Sequence, residues 1–277
     1  MVTLFKKRAV TSLVLAAVLL CSMLLGACSK SGGNELKVGM ECAYAPFNWT
    51  QTDDSNGAVA IQGGGYANGY DVQIAKKVAE GLGKKLVIVK TEWDGLTPAL
   101  TSGKVDAIIA GMSATEDRKQ SIDFSDEYYV SDLVVVVKKD GPYAAATSLD
   151  GLSGAKITGQ LSTLHYDVID QIPGVQKETA MADFGTMIVA LNAGKIDGYV
   201  SERPGALSAV ATNPALSFVA FEPGTGFDYD GTEVTIAVGL KKGSELREKV
   251  NEILVGVSQE ERQKLMDDAV KNQPSGE

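Results

Sequence analysis

A chain of 277 residues holds one large domain or two of roughly 100–150 residues, and its 44% hydrophobic and 22% charged residues are those of an ordinary globular protein. Lys and Arg number 26 against 35 Asp and Glu, a net charge of −9, which disfavours nucleic acid and anionic membrane surfaces as partners. With three cysteines and one histidine the chain cannot assemble a zinc site from several His or Cys ligands.

At the N-terminus, Lys6-Lys7-Arg8 precede an apolar run from Leu13 to Ala27, the pattern of a secretory signal. The run closes on Leu25-Gly26-Ala27-Cys28, which resembles the bacterial lipobox, with Cys28 as the lipidated first residue after cleavage. Residues 1–27 are therefore expected to be a signal peptide. Residues 28–35 would then be a tether holding the protein, through Cys28, to the outer face of the cytoplasmic membrane. A retained transmembrane helix is the competing reading, since about 18–20 apolar residues span a bilayer. Cys21 would leave with the signal and Cys28 would carry lipid. Cys42 would remain as a small buried residue without an intramolecular partner.

The pattern then predicts a strand over 36–40 and a long loop over 51–69, where Gly, Asp, Asn and Gln dominate without periodicity. Asp53-Asp54-Ser55-Asn56-Gly57 lacks the terminal Glu of a calcium loop, and no Gly-Lys-Ser/Thr follows Gly63-Gly64-Gly65 to make a phosphate loop. Apolar residues at helical spacing predict a helix over 72–82, between Asp71 and Gly83. A strand over 86–89, a short helix over 96–101, a strand over 105–109 and a capped turn from Thr115 follow. The uninterrupted apolar run 133–137 predicts a strand buried on both faces. The alternation then restarts: strand 156–158, helix 162–171, strand 176–179, helix 183–193, strand 198–200. Strands over 217–221 and 234–240 and helices over 244–254 and 258–269 complete the chain, with nothing structured expected beyond 270. Strands alternating with helices argue for α/β construction.

Two stretches are nearly the same: Ala99-Leu100-Thr101-Ser102-Gly103-Lys104-Val105-Asp106 and Ala190-Leu191-Asn192-Ala193-Gly194-Lys195-Ile196-Asp197. Each reads as a helix end, a Gly beyond the C-cap, and a buried strand approached through Lys and Asp. The repeat points to two lobes of similar construction, or to chance similarity of two αβ units. Ligands of open α/β sheets bind beyond the carboxyl ends of the strands. Ser113 and Arg118 lie beyond the first strand, Ser201 and Glu202 beyond the second. If the lobes face each other, one cleft carries a cation and a carboxylate, a site for a zwitterion. Arg118 would meet a carboxylate bidentately, Ser113 would add a hydroxyl, and Ser162 and Thr163 at a helix start would favour an anion. Glu202 would accept from an ammonium, with Tyr44 and Trp93 as aromatic platforms. On composition alone, Arg118 and Glu202 read first as solvated charges, and each aromatic equally as core. His165, one turn from Ser162 and Thr163, reads as a surface or cleft-rim residue, since nothing requires a catalytic triad.

With these residues laid out, the chain resembles the family-3 extracellular solute-binding proteins, the polar amino-acid receptors of ABC importers, over about 36–269. The resemblance rests on Val38-Gly39-Met40-Glu41-Cys42-Ala43-Tyr44-Ala45-Pro46-Phe47, Gly69-Tyr70-Asp71-Val72 and Trp93-Asp94-Gly95-Leu96-Thr97-Pro98-Ala99-Leu100. It continues through Ser113-Ala114-Thr115-Glu116-Asp117-Arg118 and Ile122-Asp123-Phe124-Ser125-Asp126. It implies a two-lobed α/β fold of the type II periplasmic-binding-protein kind, closing by hinge motion on a central cleft. Lobe 1 would be 36–130 with 237–277, lobe 2 would be 131–236, and the hinge crossings would fall near 129–133 and 234–237. The resemblance makes Arg118 the α-carboxylate clamp, helped by Ser113 and the backbone N–H of Thr163. Gly111 supplies an ammonium-accepting carbonyl, with Met112 and Ser162 beside the ligand. Glu202 stands where an Asp is usual, Tyr44 and Trp93 match an aromatic sandwich, and Glu41 matches an acid that receives cationic side chains. Ala110, Gly111 and Leu164 depart from more polar residues. The implied protein is an extracytoplasmic lipoprotein that delivers an L-amino acid to the transmembrane subunits of a permease. Arginine or lysine is the preferred ligand, glutamine or another polar amino acid the alternative, and a dehydratase-type enzyme on the same fold a more distant one. No catalytic residue, cofactor or metal is expected, and the protein is expected to be a monomer.

Overall fold

The computed structural model describes residues 33–274. The expected signal peptide, the retained-helix alternative and the lipidation at Cys28 lie outside the described residues.

Two five-stranded sheets carry the molecule. The first runs in the order β6 (Lys85–Lys90), β1 (Glu35–Met40), β7 (Ala107–Ile108), β14 (Thr235–Lys241), β8 (Ile122–Val130). The second runs β11 (Gln176–Lys177), β10 (Lys156–Thr158), β12 (Gly198–Glu202), β9 (Leu133–Lys138), β13 (Leu216–Val219). In each sheet the first three strands are parallel, the fourth runs against them, and the fifth, antiparallel to the fourth, runs the same way as the first three. The chain leaves the first sheet at Val130 and joins the second at Leu133, then returns at Thr235. These are the two crossings of a two-lobed α/β fold. Leu133 to Val137 is buried along its whole length, as a central strand covered on both faces requires.

The sequence repeat is a hydrogen-bonding device made twice. The helices α2 (Leu96–Ser102) and α5 (Phe184–Asn192) each end at a glycine in the left-handed region, Gly103 (φ 81°) and Gly194 (φ 70°). Lys104 N–H and Lys195 N–H then return to the helix at Ala99 and Ala190. Asp106 gives its N–H to the Lys37 carbonyl (2.8 Å) and takes the Lys37 N–H on its carboxylate (2.9 Å). Asp197 makes the same pair with Lys156, at 2.8 and 2.9 Å. Each Asp thus locks its strand onto the neighbouring parallel strand.

Helix α1 (Tyr70–Gly81) covers the first sheet with Val72, Ile74, Ala75, Val78 and Ala79, all buried. α3 (Glu116–Ser121) is capped by Thr115, whose hydroxyl accepts from Arg118 N–H. α4 (Leu164–Asp167) and α6 (Arg203–Thr212) lie with the second sheet, and α7 (Leu246–Val255) and α8 (Gln259–Asn272) pack on α1.

Several expectations change. The stretch 51–69 is not one loop. With β2 (Ala43–Tyr44), β3 (Asn48–Gln51), β4 (Val59–Ala60) and β5 (Tyr66–Asn68) it builds a third, four-stranded antiparallel sheet. Strands of two to four residues leave no alternation to read. The strand expected over 105–109 pairs only at Ala107–Ile108. The helix expected over 162–171 is one α turn from Leu164 followed by a 3-10 turn to Gln171, because Ser162 is left-handed (φ 58°). The last helix runs on to Asn272, past 270. No helix among the described residues is long and apolar enough to cross a membrane.

Candidate functional site

The carboxyl ends of the two sheets meet around an inner cavity with an open mouth. The inner cavity is lined by Tyr44, Trp93, Gly111, Ser113 and Arg118 on one side and Thr163, His165 and Glu202 on the other. The mouth, ≈ 540 Å³, shares Trp93, Arg118 and Thr163 and adds Met112, Ser162 and the acids Asp94, Glu116, Asp117 and Asp167. The inner cavity has ≈ 10 Å³ open, the room one water takes. Anything larger than a water therefore gets in by parting the bonds that hold the two walls together.

Three such bonds are present. The Tyr44 hydroxyl donates to the Glu202 carboxylate. The Arg118 guanidinium donates through Nη2 to the Ser162 carbonyl (3.0 Å) and through Nη1 to the Ser113 carbonyl on its own side (2.9 Å). Gln160 Nε2 donates to both Glu41 oxygens, at 3.2 and 3.3 Å. Burial pushes the Arg118 guanidinium down to about 10, against the Glu202 carboxylate, which favours its charge. Burial also raises the Tyr44 phenol well above its usual value, as does Glu202 beside it, so Tyr44 stays a donor.

A buried polar relay fixes the first wall. Cys42, left-handed at φ 56°, donates its N–H to Asn48 Oδ1 (2.6 Å). Asn48 Nδ2 donates to Asp71 Oδ2 (2.7 Å), and Tyr128 OH donates to Asp71 Oδ1 (2.7 Å). The Tyr128 oxygen in turn accepts the Gly111 N–H (3.3 Å). One buried carboxylate therefore ties the loop carrying Glu41 and Tyr44 to the loop carrying Gly111 and Ser113. Burial raises the Asp71 carboxyl to about 7, with the Tyr128 and Asn48 hydrogen bonds opposing. Tyr44 fits because two glycines flank its ring: a Cβ would stand 3.1 Å from it at Gly111 and 3.0 Å at Gly205.

The second wall is built differently. Glu202 ends β12 and is 2% exposed. Thr163 caps the single turn of α4, but its hydroxyl donates to the Gln160 carbonyl (2.7 Å) instead of serving the helix. The anion site expected at Ser162 and Thr163 thus has only one α turn, Leu164–Asp167, behind it. Ser162 is exposed at the mouth and meets Arg118 through its carbonyl.

The expected residues Tyr44, Trp93, Gly111, Ser113, Arg118, Thr163 and Glu202 thus converge on one cavity, and Met112 and Ser162 stand at its mouth. Glu41 differs: it lines neither space and is turned to Gln160. Burial raises it to about 7, Gln160 pulling it down and the Asp183 and Glu92 charges adding to the rise. The aromatic pair also differs from a free sandwich. Tyr44 stacks on Phe184 (4.2 Å between centroids) and Trp93 is covered by Arg118 (5.1 Å). His165 is buried against Glu202 (3.4 Å), not at the rim. Sequence reasoning misses Gln160, His165 and Phe184 because tertiary contacts alone bring them to Glu41, Glu202 and Tyr44. Cys42 is buried as expected and has no disulfide partner among the described residues.

Residues 36–269 match the sequence profile of the bacterial extracellular solute-binding proteins, family 3. A probable histidine-binding protein of Campylobacter jejuni is 35% identical over 198 residues, covering 70% of this chain and 71% of the relative. The ABC transporter arginine-binding protein 1 of Escherichia coli is 30% identical over 246 residues, covering 88% and 92%. Among solved structures, an amino acid ABC transporter substrate-binding protein from Streptococcus pneumoniae bound to L-arginine superposes with a TM-score of 0.75. It is 29% identical, over 86% of this chain and 94% of that one.

Proposed function

The chain belongs to family 3 of the bacterial extracellular solute-binding proteins, and we propose that it binds an L-amino acid between its two lobes and hands it to the transmembrane subunits of an ABC permease. One observation carries this reading. A guanidinium from the first wall, Arg118, and a carboxylate from the second, Glu202, line the same cavity. That pairing matches the two ends of a zwitterion. Arg118 exchanges its bond with the Ser162 carbonyl for the ligand carboxylate, and Glu202 exchanges the Tyr44 hydroxyl for the ammonium. Because both contacts exist only with the walls together, the ligand shifts the population toward the closed form through that difference in contact.

Arginine or lysine is the preferred ligand. Glu41 stands next to the inner cavity through Gln160, and the acids at the mouth draw cations inward. The relatives named for arginine support the same preference. The one named for histidine supports a basic side chain more broadly. Glutamine is the second reading, favoured by Glu41 being held near 7, so that it receives a neutral amide as a protonated acid. Lipidation at Cys28, an extracytoplasmic location and a monomeric state complete the proposal. Calorimetric titration of the full-length chain with each of the twenty L-amino acids tests it. Micromolar binding of arginine or lysine supports the cationic assignment, and binding of glutamine with none of arginine refutes it.

A further inference from the structure

His165 is the single histidine of the chain and 7% exposed. Phe184 meets its ring edge-on at 5.7 Å. Its Nδ1 stands 3.2 Å from Thr163 Oγ1. That hydroxyl has one hydrogen, committed to the Gln160 carbonyl in the shorter contact of 2.7 Å. Thr163 Oγ1 therefore accepts from Nδ1–H, and a neutral imidazole held this way carries its lone pair on Nε2. Among the described residues Nε2 has no hydrogen-bond partner, yet it lies 3.4 Å from Glu202 Oε1. With the neutral ring, two acceptors on the cavity lining stand 3.4 Å apart with no hydrogen between them, an arrangement that repels until a donor is placed against both.

We propose that His165 Nε2 and Glu202 together receive the primary ammonium of the ligand, making His165 a ligand-binding residue and a determinant of amino over hydroxy acids. An ammonium brings three N–H donors, enough for the imidazole, the carboxylate and one further acceptor. A hydroxyl brings one and leaves an acceptor facing an acceptor. Discrimination follows because a buried polar group left unpaired costs more than a made hydrogen bond contributes. The proposal rests on the reading that an amino acid binds in this cavity.

The test uses the full-length chain, L-arginine, and the α-hydroxy analogue of arginine in which OH replaces the ammonium. His165→Asn keeps an amide N–H for Thr163 but has nothing in the place of Nε2. It is expected to weaken arginine roughly tenfold and leave the hydroxy analogue unchanged. His165→Gln, whose amide oxygen reaches the Nε2 position, is expected to recover most of the loss. Because there is one histidine, the imidazole ¹⁵N spectrum needs no assignment. It should report the Nδ1–H tautomer, with Nε2 moving to a hydrogen-bonded acceptor position when arginine is added. Equal losses on both ligands, no loss, a gain for arginine, or an imidazolium or Nε2–H spectrum in the complex would each overturn the role of His165. If the wild-type chain prefers another L-amino acid, that acid and its α-hydroxy analogue replace the arginine pair. A wild-type chain that binds no L-amino acid refutes the proposed function as well, which separates the two failures.

Discussion

The Asp that leads into β7 and the Asp that leads into β12 make the same two bonds to a neighbouring Lys backbone, Asp106 with Lys37 and Asp197 with Lys156. Four to seven residues further on, the two walls part company. Beyond β7 the chain turns through Gly111 (φ 62°) and is held from behind by Tyr128, Asp71 and Asn48, so that the first wall is preorganised by a buried relay. On the second wall the last residue of β12 is Glu202 itself, and the neighbouring Thr163 and His165 hang on one helical turn that begins after a left-handed serine. One sheet plan thus yields a rigid wall that positions a cation and a lighter wall that brings a carboxylate to it. The difference suits a receptor whose ligand first docks on the fixed wall and then recruits the other.

Arg118 is the sharpest way to break that division. Arg118→Ala is expected to lower arginine affinity by at least about 30-fold, since removing one partner of a buried charge pair costs roughly 2–5 kcal/mol. Differential scanning calorimetry without ligand should find the fold nearly unaltered. Unchanged affinity would remove the clamp from the first wall.

Asp71→Asn tests whether the relay gives that wall its rigidity. It leaves a buried donor unpaired, and a loss of about 1–3 kcal/mol in stability is expected by urea titration. The Asp71 carboxyl moves from 3.8 to about 7 in the fold, so the native state holds this proton more tightly than the unfolded chain. Its contribution is full below about pH 4 and is lost as pH rises toward 7. The wild-type chain should lose stability across that window, and Asp71→Asn should show a shallower slope. An identical slope would relieve Asp71 of the role.

Glu41 gives a pH signature for a cationic side chain. A carboxyl at about 7 must be ionised to receive a guanidinium, so arginine affinity should strengthen as pH rises through 7. Below 7 it should weaken by up to about tenfold per unit. Glu41→Gln should flatten that profile and leave glutamine binding unmoved. A flat wild-type profile would take Glu41 out of the side-chain pocket.

The smallest effects probe the shared plan itself. Asp106→Ala and Asp197→Ala each remove one carboxylate-to-backbone bond at a partly exposed site, and each should cost about 1 kcal/mol in denaturant titration. Clearly unequal costs would show that the Asp106 and Asp197 locks are alike in geometry only.

These contrasts follow how far each feature can be read from sequence. The repeat is legible because a helix end, a glycine and the strand after it are set by residues within a few positions of one another. The buried run 133–137 is legible for the same reason. That logic puts Arg118 and Glu202 beyond the strand ends, and both line the cavity. The third sheet is not legible, because its strands are too short to alternate and their pairing is set by tertiary contact with α1 and β6. His165 gives no signal either. What buries it is Glu202 from a distant strand and Phe184 from the next helix. Glu41 matches by position, but its turn toward Gln160 depends on the other wall.

The most direct measurement is a crystal structure of the full-length chain grown with L-arginine. Arg118 is expected on the α-carboxylate and Glu202 on the α-ammonium of one bound molecule, with Tyr44 released from Glu202. Arginine seated elsewhere, with Arg118 still on the Ser162 carbonyl and Tyr44 still on Glu202, would contradict the zwitterion grip.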